Sequence, residues 1–144
     1  MIQDDTIKLL RECDAGIKMG LKALDEVMDN VEGQDLLVCL RDIRVKHEKL
    51  KQEIQEQLCR YCDEGKDPSP VSLGMSWVKT NMKLGLDESD KTIADLLSDG
   101  CSMGIKYLNK YLNQYQAADE RSKDIAKKLI NQEKELLENL TVFL

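Results

Sequence analysis

Gly65-Lys66-Asp67-Pro68-Ser69-Pro70, followed by residues 71–88, is the stretch that decides how this chain folds. Both prolines of the sequence lie in it, and neither can continue a helix from the preceding residues. On either side lie two long stretches whose apolar residues recur at alternating three- and four-residue steps, the period of one buried helix face. A helix of ~28 residues is ~42 Å long. The breaks inside each flanking pair are too short to return along that length, so they favour antiparallel neighbours, whereas segment 65–88 can span it. The expected fold is therefore all-α: a four-helix bundle of two antiparallel hairpins joined by a long crossover. Within that crossover Leu73 to Leu86 is expected to form a short amphipathic helix, with Trp77, Val78, Met82 and Leu84 on roughly one side.

Working outward, the first helix is expected over about Asp4–Asn30, with Asp4, Asp5 and Thr6 as N-cap candidates. Its stripe runs Leu10, Cys13, Ile17, Leu21, Leu24, Met28 and Val31, with Asp14 on its flank. Glu32-Gly33-Gln34 breaks the pattern. The second helix covers about Asp35–Glu64, with Leu36, Leu40, Ile43, His47, Leu50, Ile54, Leu58 and Tyr61 inward and Gly65 as its stop. The third spans about Ser89–Tyr115, with Ile93, Leu96, Leu97, Gly100, Met103, Gly104, Leu108, Tyr111 and Tyr115 on one face. Gly100 and Gly104 cost about 1 kcal/mol each relative to alanine, which suggests that something approaches that backbone closely. Tyr107, Tyr111 and Tyr115 make a packing ladder. The last helix runs from about Ala118, with Ala126, Leu129, Ile130, Glu133, Leu136, Leu137, Leu140 and Leu144 inward.

Composition agrees with one helical domain over 1–144. The chain is 42% hydrophobic, and only Trp77, Phe143 and four tyrosines are aromatic, too few for a strand-rich fold. A formal charge of −6 disfavours nucleic acid and anionic membranes as partners. No apolar run approaches the ~20 residues that span a bilayer, and Met1-Ile2-Gln3-Asp4-Asp5 does not open a secretory signal. A cytoplasmic location is expected. The cysteines Cys13, Cys39, Cys59, Cys62 and Cys101 are an odd number, read as reduced thiols. Cys59-Arg60-Tyr61-Cys62 is a CxxC, but it closes a helix instead of opening one and has no second ligand pair for zinc.

Two ionisable residues interrupt the stripes. His47, the single histidine, and Glu133 stand at core positions near the middle of their helices. The words Met75-Ser76-Trp77, Met82-Lys83, Ile93-Ala94-Asp95-Leu96-Leu97, Gly100 and Met103-Gly104, set on four amphipathic helices, resemble an uncharacterised bacterial branch of the ferritin-like superfamily. That resemblance implies ferritin-like topology. In metal-binding members it also implies a glutamate on each of the first and third helices and a Glu-x-x-His pair on each of the second and fourth. Here the second helix reads Arg44-Val45-Lys46-His47, and the fourth reads Glu133-Lys134-Glu135-Leu136. Asp14 is the nearest carboxylate on the first helix, and Asp99 to Ser102 offer no glutamate on the third.

The expectation is a metal-free polar layer of Asp14, Arg44, His47 and Glu133, with the Arg44 guanidinium forked onto a carboxylate. Such a chain would be non-catalytic and act by association, as a dimer or larger assembly or with another protein. Two alternatives stand beside it. One is a metal-binding oxidoreductase with a reduced site, in which His47, Glu133, Asp14 and Cys101 hold iron, manganese or zinc. The other is an interior small-ligand site, with Gly100 and Gly104 making room.

Overall fold

A computed structural model describes residues 2–68 and 89–144. Four helices account for most of them: α1 (Ile2–Met28), α2 (Gln34–Arg60), α3 (Asp90–Gln114) and α4 (Glu120–Leu140), with a 3-10 turn at Thr141–Phe143. They pack as a four-helix bundle, α1 on α2 and α3 on α4, with α4 also against α1 and α2 and α3 against α1. The short helix expected at Leu73–Leu86, with Trp77, lies outside the described residues.

Two hydrophobic clusters order the helix ends. One joins Leu9 to Leu21 of α1 with Leu50, Ile54 and Leu58 of α2, Leu108 of α3, and Ile125 to Ile130 of α4. The other joins Leu24 and Val27 with Leu36, Leu40, Ile43, Ile93 to Cys101, Leu136 and Leu140. The C-terminal halves of α2 and α3 therefore share one end of the bundle, and their N-terminal halves share the other. Asp90, at the start of α3, accepts the backbone N–H groups of Glu32 and Gly33 in the α1–α2 turn, each at 2.8 Å.

The start of α1 and the end of α2 depart from the expected assignment. Helix α1 starts at Ile2, and Asp5 and Thr6 serve the α3–α4 turn instead, accepting the N–H groups of Ala117 (3.0 Å) and Asp119 (2.8 Å). Helix α2 stops at Arg60, several residues before Gly65. The Asp63 N–H turns back to the Leu58 carbonyl at 3.0 Å, and Cys62 takes a left-handed φ of 55°. Ser89 caps α3 by accepting from Thr92 N–H.

Asp119 caps α4, accepting from Ser122 N–H at 2.8 Å and from the Tyr61 hydroxyl at 3.0 Å. Burial works against its charge, but the bonds from Ser122 and Tyr61 outweigh it and hold the carboxyl below its ordinary value. A depressed carboxyl stabilises the fold above its unfolded pKa, and that contribution is lost as pH falls through the folded value. Asp119→Ala should therefore cost about 1–2 kcal/mol at neutral pH, and the difference from wild type should shrink in acid. Urea titrations at the two pH values measure both.

The stripes hold with local shifts of phase. Met103 is 45% exposed and Leu144 is 53% exposed, so neither joins the core; on α3 the inward face passes from Cys101 to Leu108. The tyrosine ladder is present, with successive ring centroids 6.4 Å apart. Gly100 is not a point of close approach: no described atom lies within 4 Å of a Cβ built there, and Gly16 on α1 is equally open. Gly16→Ala should raise the unfolding free energy by about 1 kcal/mol, read as a higher urea midpoint at unchanged slope.

Candidate functional site

At mid-bundle, α2 turns His47 inward and α4 turns Glu133 toward it. The imidazole is 1% exposed and the carboxylate 14%. His47 Nε2 lies 3.0 Å from Glu133 Oε1, and Nδ1 lies 2.8 Å from Gln132 Oε1. The Gln132 amide donates to the Lys46 carbonyl at 3.4 Å, which directs its oxygen at the ring. Protein oxygens thus face both ring nitrogens. Cys101, on α3, also sits within hydrogen-bonding reach of Glu133. Burial first, then the Glu133 charge and hydrogen bond, push its thiol pKa far up.

Besides Cys101, the other two helices present glycine backbone to this level. On α1, a Cβ at Gly20 would lie 3.3 Å from His47 Cδ2 and 3.9 Å from Glu133 Oε1. On α3, a Cβ at Gly104 would lie 3.7 Å from Glu133 Oε2. Gly104 therefore stands in ordinary contact with the carboxylate. Gly20 is the tight position, because its neighbour is a ring held by two hydrogen bonds. Gly20→Ala should gain helix propensity yet lose most of it to displacement of that ring, leaving stability within about 0.5 kcal/mol of wild type. Gly104→Ala keeps the gain, and the urea midpoints of the two variants should separate accordingly.

Of the four residues expected in one polar layer, the structure brings together His47 and Glu133 only. Arg44 lies on the outer flank of α2 and forks onto Asp25 of α1, Nε to Oδ1 at 2.6 Å and Nη2 to Oδ2 at 3.1 Å. One step along a helix turns a side chain by about 100°, so Arg44, next to the inward Ile43, reaches the neighbouring helix across the surface. Asp14 is buried as its phase implies, but six residues, ~9 Å along α1, separate it from Gly20.

Asp14 instead holds the turn after α2. Its Oδ2 accepts from Lys18 Nζ at 2.7 Å and from Lys66 N–H at 3.0 Å, beside Gly65 at a φ of 89°. Gln132 and Gly20 carried no sequence signal: one reads as a polar neighbour of the stripe, the other has no side chain.

The residues at the layer do not fit a metal ion. Both ring nitrogens of His47 are engaged by protein oxygens, and Asp14 bonds elsewhere. Among the described residues no group of three or more His, Cys, Asp or Glu side chains is arranged to hold one. A surface groove of about 590 Å³ between α1 and α2 is lined by charged residues, Lys18, Asp25, Arg44 and Lys51 among them, away from the pair. No described helix is long and apolar enough to cross a membrane. No protein-family model, curated protein or solved structure matches this chain.

Proposed function

We propose that this chain is a non-catalytic helical bundle of ferritin-like topology that acts by association, with itself or with another protein. In this reading the His47–Glu133 pair fills the level at which metal-binding ferritin-like bundles hold their ions. The observation that carries the reading is the makeup of that level: glycine from α1, glycine and the Cys101 thiol from α3, and one histidine and one glutamate with Gln132 beside them. A dinuclear site needs carboxylates from all four helices and a second histidine. A buried pair held by Gln132 fixes the rotation and register of α2 against α4, the best-attested use of such groups. The end-sharing of the α2 and α3 halves supports the crossover topology, since the chain between them has the bundle's length to cover. The apolar side chains available for association are exposed singly on two helices that are not a packed pair, Val38 and Val45 on α2 and Met103 and Tyr107 on α3.

Elemental analysis of protein purified without chelators, run alongside sedimentation velocity, tests the two parts separately. The reading expects no stoichiometric iron, manganese or zinc, and a dimer or larger species at high concentration. Stoichiometric metal would overturn the structural role of the pair. A clean monomer across the concentration range would overturn self-association and leave a different protein as the partner.

A further inference from the structure

The geometry points to Cys59 and Cys62 as a reversible dithiol–disulfide site that exchanges with a low-molecular-weight disulfide such as glutathione disulfide. Both cysteines are exposed, unlike Cys13 and Cys101, which are buried. The Cys62 N–H donates to the Cys59 carbonyl at 3.0 Å, with Tyr61 between them at φ −101° and ψ 11°, so the four residues close a hydrogen-bonded turn. Such a turn holds its first and last Cα atoms within ~7 Å, and a disulfide spans about 4.4–6.8 Å. Cys62 also occupies the left-handed position that ends α2, at φ 55°, the place where glycine is the ordinary residue. A cysteine accepts backbone strain there, and the thiol three residues from Cys59 is what the chain gains by it.

The exchange balances without further reagents. The thiolate of one cysteine attacks a sulfur of the small disulfide and releases one thiolate. The second cysteine then attacks the mixed disulfide, closes the Cys59–Cys62 bond and releases the other. Two protons leave the protein, the dithiol gives up two electrons, and the small disulfide is reduced to two thiols. The remaining thiols are poor competitors: burial pushes Cys13 up to about 12, with Glu12 and Asp14 adding to it, and burial likewise raises Cys39 and Cys101. The bond would lock the point at which the chain leaves α2, next to the turn that docks on α1 through Lys66–Glu12 at 2.6 Å and Lys66–Asp14.

Incubating the reduced 144-residue chain with glutathione disulfide, quenching in acid and mapping peptides by mass tests this. Wild type is expected to lose two hydrogen masses through a link between Cys59 and Cys62 within one chain, reversed by excess reduced glutathione. Cys62→Ser, which lacks the resolving thiol, is expected to accumulate a glutathione adduct on Cys59. A wild type that stays reduced, keeps the adduct as its end product, or links chain to chain through these cysteines would overturn the proposal.

Discussion

His47→Leu is expected to lower the unfolding free energy by about 3 kcal/mol, the cost of leaving a buried carboxylate without its hydrogen-bond partner. Leucine restores most of the side-chain volume, so the loss comes from the carboxylate left behind. Glu133 is 14% exposed and sits between α4 and the Gly104 backbone, with Cys101 as its remaining described partner and little water to replace the imidazole. Gln132 loses the ring donor as well. The double variant His47→Leu/Glu133→Leu removes both halves together, and should return to within about 1 kcal/mol of wild type, because an apolar pair of similar volume escapes the desolvation cost. A double-mutant cycle from urea unfolding reads the coupling directly. Additive losses would mean that the two groups act independently.

Gly65→Ala is the second large effect, expected to cost about 3 kcal/mol from two sources. A left-handed backbone is disfavoured by about 1–2 kcal/mol for a residue with a Cβ. The new methyl would also collide with Asp14 Oδ2, the atom that receives Lys66 N–H and Lys18 Nζ. Displacing that carboxylate loses charge-assisted bonds worth about 1.5–3 kcal/mol. In an Asp14→Ala background the collision is gone, so Gly65→Ala should cost only its backbone share. The two substitutions should therefore fall short of additivity by more than about 1 kcal/mol, read from the same unfolding curves.

What the sequence reveals follows from what periodicity reports. A stripe records burial averaged over many turns, so four helices and most of their inward leucines and isoleucines were legible. His47 and Glu133 were legible as a facing pair because each interrupts an otherwise apolar stripe. Arg44 shows the limit. It sits three residues before His47 on the helix, but its partner Asp25 belongs to another helix, and no spacing along one chain records that pairing.

Asp14 shows a second limit, since phase tells which way a side chain points but not the level at which it meets other helices. The glycines show a third. Gly100 and Gly104 looked like the close approach, while Gly20, in a stretch with no pattern of its own, lies tightest against the ring. The helix stop at Cys62 was hidden because Gly65 is the residue that usually ends a helix, and here Gly65 makes the later turn over Asp14.

The most direct measurement is thermal unfolding of chelator-treated wild type and of the His47→Leu/Glu133→Leu variant, each with and without added Fe²⁺, Mn²⁺ or Zn²⁺. A ligand that binds only the folded chain raises its stability in proportion to the logarithm of its concentration over Kd. The pair as a structural lock predicts transitions that no metal shifts in either protein. A metal-dependent rise in the wild-type midpoint that disappears in the variant would contradict it.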